Sequence, residues 1–173
     1  MRPRVSTTPV DSAELDAQLP GWDYADAFDV NVDGTVPDSA LAAARCLLEP
    51  GGGRLLGARD LLVRPAGLKP AVTGADDLFP VLLDTPQLAV LGLDDLHLDF
   101  RILVSVDHRR VRCVTVIRRH NFLGYAYFAV VRPFHRLLVK YLLARTARRG
   151  WTTAVDSGRA RCTFAGVVGE GDS

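Results

Sequence analysis

Apolar and polar positions alternate most clearly between His97 and Arg119. Leu98, Phe100, Ile102, Val104 and Val106 share one parity, and His97, Asp99, Arg101, Leu103 and Ser105 share the other. That period of two is the pattern of a strand with one buried face. Asp107-His108-Arg109-Arg110 turns the chain and Val111 to Arg119 returns it, which predicts an antiparallel hairpin. On the return strand two parities compete, Val114 and Val116 against Cys113, Thr115 and Ile117. Asn121 can then cap a long helix, because its side-chain oxygen can accept from the exposed amides of the first turn. Along that helix Leu123, Tyr127, Val130, Phe134, Leu137 and Tyr141 follow alternating steps of four and three, one apolar stripe. Arg132, Arg136 and Lys140 make an opposing basic row. The spacing predicts that the stripe packs on the sheet while the row faces water. Pro133 removes an internal hydrogen bond and bends the helix near its middle.

Upstream, Tyr24 to Val32 predicts the first strand, with Tyr24, Phe28, Val30 and Val32 on one face. Asp26 falls on that same apolar face, where a carboxyl is costly unless paired or protonated. Pro37-Asp38-Ser39 opens a helix that Glu49-Pro50 and three glycines stop. A second short helix is expected over Arg54 to Val63, followed by a loop over 66–78. Phe79–Leu83 and Leu88–Gly92 predict a further hairpin broken at Thr85-Pro86. Residues 1–21 lack periodicity and predict a loose lead, 22–150 a single domain, and 151–173 a polar, loosely ordered tail with one strand-like run at Arg161–Phe164.

With 173 residues and 48% apolar composition, the chain is long enough to bury a core without a metal or disulfide staple. A net charge of +1 offers no argument for a nucleic-acid partner. Only Lys69 and Lys140 of the 21 cations are lysine, a bias expected of a GC-rich bacterial genome rather than of function. Cys46, Cys113 and Cys162 form no CxxC or Cys/His pairing, so no zinc site is expected and buried reduced thiols are. No signal-like apolar core precedes Trp22, and the apolar run Phe122–Val131 is about half a membrane span, so a cytoplasmic protein without a transmembrane segment is expected. No GxSxG turn or GK[ST] phosphate loop is present, and no cofactor is expected.

The element order resembles the START/Bet v 1-like superfamily, also called SRPBCC, and within it an uncharacterised bacterial family known as a domain of unknown function. The segments that carry the resemblance are Asp23–Phe28, Leu61–Pro65 with Gly67-Leu68-Lys69, Leu91–Asp95 with His97–Arg101, and Arg118–Asn121 with Pro133-Phe134-His135. They cover most of residues 23–149. The resemblance implies an α+β helix-grip fold, a curved antiparallel sheet wrapped around a long C-terminal helix, with two short helices after the first strand. It also implies a small apolar or aromatic ligand in a cavity between sheet and helix.

Tyr24, Asp26, Phe28, Arg64, Phe100, Arg118, His120 and Tyr127 are the candidate ligand-binding residues. Asp26 reads either as a polar anchor or as half of a structural pair with Arg64 or Arg118. His120 reads either as a proton-transfer group or, with Asn121, as a helix cap. His97 and Asp99 are expected on a solvated strand face, and His135 at the surface or an interface. Three functions fit: a binding protein without chemistry, a cyclase- or hydratase-type enzyme, and a module whose basic helix meets a membrane surface or partner. The oligomeric state does not follow from the sequence.

Overall fold

The computed structural model describes residues 3–32, 37–48 and 79–151, together with the backbone of 153–156 and 159–162. In chain order its elements are β1 (Val5–Thr7), α1 (Ser12–Gln18), β2 (Tyr24–Asn31), α2 (Ala40–Leu48), β3 (Val81–Asp84), β4 (Leu88–Asp94), β5 (Leu98–Asp107), β6 (Arg110–Arg119), α3 (Phe122–Arg149), β7 (Thr153–Asp156) and β8 (Arg159–Cys162). The expected helix over 54–63 and the loop over 66–78 lie outside the described residues.

Six strands form one curved antiparallel sheet in the order β1-β2-β6-β5-β4-β3. Strands β3 to β6 pair in sequence, each with its successor, as short turns favour. Strand β2 then joins the far side of β6, with Tyr24 opposite Ile117, Asp26 opposite Thr115 and Phe28 opposite Cys113. This register resolves the ambiguous parity of β6. Cys113, Thr115 and Ile117 share a face with Tyr24, Asp26 and Phe28, while Val114 and Val116 share the other with Ala27. Both parities are apolar because both faces are covered.

On one face, α2 and α3 close over Phe28, Val30, Ala89, Leu91, Val104, Val111 and Cys113. On the other, Leu15 and Leu19 pack with Ala27, Val90, Leu103, Val114 and Val116. The N-terminal segment is therefore not the loose lead expected of 1–21. Asp11 caps α1 by accepting from the Ala13 amide at 2.9 Å, and β1 pairs with β2 from Val5↔Val30 to Thr7↔Phe28. A seven-residue helix is too short to show a helical period, even with Leu15 buried. Trp151 is buried in the same core as Leu143, and β7 pairs with β8 in a hairpin that packs on α2. Cys113 is free and buried, but Cys46 on α2 is disulfide-bonded, so the expectation of reduced thiols throughout is not met.

The long helix starts where the capping argument places it. Asn121 Oδ1 accepts from the Gly124 amide at 3.1 Å, and Gly150 ends the helix at a φ of 91°. Its rotation about its own axis is opposite to expectation. Gly124, Phe128, Leu143 and Thr146 are the buried positions. Leu123, Val130, Phe134, Leu137 and Tyr141 are exposed. The basic row instead leans toward the sheet: the Arg132 guanidinium sits 5.0 Å from the centre of the Tyr24 ring, and Lys140 Nζ 5.1 Å from that of Phe28. Cations over ring faces are attracted by the ring quadrupole, and their aliphatic stems cover apolar surface.

Gly124 sets this rotation at the helix start. A Cβ there would collide with the His97 carbonyl oxygen, which already accepts from the His120 amide at 3.0 Å. Backbone cannot move aside as a side-chain tip can. The Gly124→Ala substitution is therefore expected to destabilise the fold by about 1–3 kcal/mol despite alanine's better helix propensity. Urea denaturation followed by circular dichroism measures this, and an unchanged or raised midpoint would contradict the close approach.

Candidate functional site

Strand parity puts Asp26 in the middle of the face that α3 covers, flanked along β2 by Tyr24 and Phe28 and across the strand by Thr115. The residue is only 7% exposed. The Tyr24 hydroxyl donates to Asp26 Oδ2 at 2.7 Å. Oδ1 accepts no hydrogen bond, and among the described residues it is the only buried side-chain oxygen so left. A buried acceptor without a donor costs roughly 1–3 kcal/mol, so such atoms in native folds call for an explanation.

The nearest polar neighbour comes from the helix. His135 Nε2 lies 3.0 Å from Thr115 Oγ1 and 3.7 Å from Asp26 Oδ1. The sequence places His135 at the surface or an interface; it is turned inward, because a helix rotated to bury Phe128 and Leu143 carries position 135 on the same side. Together with Arg132 over Tyr24, these groups form a polar cluster inside an otherwise apolar layer. Burial first, then the hydrogen bond and charge of Asp26, push the Tyr24 phenol up to about 12 against the opposing pull of Arg132. The phenol is thus a permanent donor at neutral pH. Burial and the same carboxyl also push the Cys113 thiol up to about 12, which keeps it an inert core residue.

The other candidates divide between the two faces. Phe28, Phe100 and Tyr127 lie on the Asp26 face. Phe100 stands edge-on to Phe79 with ring centres 4.9 Å apart, and Tyr127 packs beside Leu98, Ile117 and Phe128. Tyr24 meets Phe128 edge-on at 4.7 Å. Arg118 and His120 do not join them. Arg118 lies opposite Asp99, on the α1 face of the hairpin, and donates to Asp99 Oδ2 through Nη2 at 2.6 Å and Nε at 3.2 Å. His120 Nε2 is 3.0 Å from Asp99 Oδ1. This corrects two expectations: Asp99 is buried rather than solvated, and Arg118 pairs with it rather than with Asp26. Sequence parity places Asp99 and Arg118 on one face correctly but cannot show that this face is covered as well. Arg118 Nη1 also donates to the Pro20 carbonyl at 3.0 Å, tying the strand to the N-terminal segment. Arg64 lies outside the described residues.

Elsewhere, a groove of about 200 Å³ is lined by Ser105, Asp107, Arg110 and Arg112 at the tip of the β5–β6 hairpin. Arg110 and Arg112 are paired there with Asp29, at 3.3 and 3.8 Å. Among the described residues no three His, Cys, Asp or Glu side chains converge on a metal position, and no helix is long and apolar enough to cross a membrane.

A family model matches residues 18–142, from the end of α1 to within the last two turns of α3, and the family is described only as a protein of unknown function. No curated protein and no solved structure matches the chain.

Two titrations check this geometry. In alkali, absorbance at 295 nm should show one of the four tyrosines ionising near 12, a step missing from the Tyr24→Phe variant. A titration complete near the ordinary value of about 10 would remove the buried Tyr24–Asp26 contact. In acid, burial alone would raise the Asp99 carboxyl, but hydrogen bonds from His120 and Arg118 outweigh it and hold the group below its usual range. A folded-state pKa below the unfolded one contributes stability above about pH 4 and loses it as pH falls further. The denaturation midpoint should therefore drop between about pH 5 and 3, and drop less in Asp99→Asn.

Proposed function

Starting from a chain that belongs to the family described as protein of unknown function (DUF2867), whose description carries no activity, we propose that it binds a small apolar or aromatic molecule between the sheet and α3. Asp26 is the polar anchor of that molecule. The observation that carries the reading is the unmet Oδ1 of Asp26, buried between Tyr24 and Phe28 on the sheet face beneath the helix. Binding sites for small molecules combine an apolar lining with a few placed polar groups. An apolar ligand bearing one hydroxyl or N–H would supply the donor that Oδ1 lacks. The rings of Tyr24, Phe28 and Phe100 and the half-buried Tyr127 would meet its body.

A second reading has one observation in its favour. His135 stands within 3.7 Å of Asp26 and in contact with Thr115, so an imidazole and a carboxyl share the ligand's polar end. In a cyclase- or hydratase-type enzyme such a pair would move a proton at that end of the ligand. His120 has no part in this reading, since its imidazole is held by Asp99.

Native mass spectrometry of protein purified from its own host tests the binding reading. The expected result is a co-purifying small molecule that Asp26→Asn binds at least about tenfold more weakly, the loss of a hydrogen bond to a charged group. A wild-type protein that is empty and also ignores apolar dyes would overturn the proposal. Equal binding by the variant would place the anchor elsewhere. Turnover of the recovered molecule that falls with His135→Gln while binding persists would favour the second reading.

A further inference from the structure

The side of α3 that faces away from the sheet is an apolar strip. Leu123, Val130, Phe134, Leu137 and Tyr141 are 53%, 56%, 66%, 68% and 53% exposed, although their spacing is that of a core seam. With Tyr127 at its flank the strip runs in steps of four, three, four, three and four, the a/d repeat that coiled coils bury between helices. From this arrangement we infer that α3 is the interface of a twofold homodimer, in which the helix packs antiparallel against the same helix of a second copy.

Three observations select a second copy as the occupant. The strip is self-complementary on reversal. Around Arg132, antiparallel pairing sets Leu123 against Tyr141 and Val130 against Phe134, so each of these rings meets an aliphatic side chain, and Leu137 faces the outer edge of the partly buried Tyr127. A twofold interface requires this kind of match, since each pair then occurs twice.

The charges agree with that orientation. Helix α3 has no acidic residue, and Arg148 and Arg149 stand in its last turn. In an antiparallel pair these cations sit at opposite ends of helices about 40 Å long, whereas a parallel pair would superimpose them. An anionic membrane surface would call for cations along the whole strip. Between Leu123 and Tyr141 the basic side chains Arg132 and Lys140 instead lie over Tyr24 and Phe28, toward the sheet, and Arg145 and Arg148 follow the strip only beyond its end.

The size agrees as well. Large side chains that are half to two-thirds exposed offer several hundred Å² per copy. Phe122, 82% exposed beside the strip, brings the patch toward the roughly 800 Å² per partner of a standard interface.

Sedimentation equilibrium of the full chain tests the inference. Wild type is expected to be a dimer at tens of micromolar, and Leu137→Glu and Phe134→Ser to weaken it on the order of 100-fold while keeping the wild-type circular-dichroism spectrum. These positions do not contribute to the monomer core, so folding is retained. Orientation is read from oxidative crosslinking: Leu123→Cys mixed with Tyr141→Cys should give a linked heterodimer, and neither variant alone a homodimer. A wild type that stays monomeric at about 100 micromolar overturns the inference. If that monomer is destabilised by Leu137→Glu, a segment of its own chain covers the strip. If it sediments with anionic phospholipid vesicles, a lipid surface does. Crosslinking of either variant to itself overturns the antiparallel arrangement.

Discussion

A single polar group on an apolar sheet face governs how the long helix lies. Asp26 follows strand parity into the layer between β2 and α3, where a carboxyl without partners would destabilise the fold. The layer answers with polar groups from both sides. Tyr24 donates from the same strand, and the helix turns His135 and Arg132 toward the sheet. A helix rotated to bury its more apolar stripe would have set Phe134 and Leu137 against the carboxyl and left the imidazole in water. The adopted rotation buries Phe128, Leu143 and Thr146 and leaves the seam of larger side chains outside. One buried carboxyl thus accords with both features, because it marks the candidate site and the rotation that brings His135 to it leaves the apolar strip at the surface.

The same rotation is enforced at the helix start by contacts that are not electrostatic. Gly124 lies against the His97 carbonyl, and Asn121 caps the first turn while its amide donates to the Leu96 carbonyl at 3.2 Å. The β4–β5 turn and the first turn of α3 therefore form one joint. Beside it, Arg119 binds Asp23 and stacks 4.1 Å from the centre of the Tyr125 ring. Two sets of contacts, one at the N-terminal turn and one at His135, hold the helix in this rotation.

Polar groups on the two faces of the sheet have separate work. On the α1 face Asp99 meets Arg118, His120 and the Asp95 amide, and Asp29 meets Thr8, Arg110 and Arg112. Every oxygen of these two carboxyls has a partner, which is what a structural network requires. Asp26 on the opposite face has one oxygen satisfied and one not. Satisfaction, more than residue type, separates the structural carboxyls from the candidate anchor.

Much of the fold is legible from local pattern. Strands β2 to β6, the turn at 107–110, the Asn121 cap and the extent of α3 follow from periods of two and from capping chemistry, which depend on neighbours in sequence. Asp26 can be placed on the covered face for the same reason. What parity cannot show is whether the second face is also covered, so Asp99 reads as solvated and the short α1 as a loose lead. Nor can an a/d stripe reveal which partner it serves, since a sheet and a second helix both bury apolar side chains. The tertiary structure decided the roll of α3, the capture of His135 and the diversion of Arg118 and His120 to Asp99. Those outcomes depend on contacts between residues roughly 20 to 110 positions apart, whose relative energies no local spacing encodes.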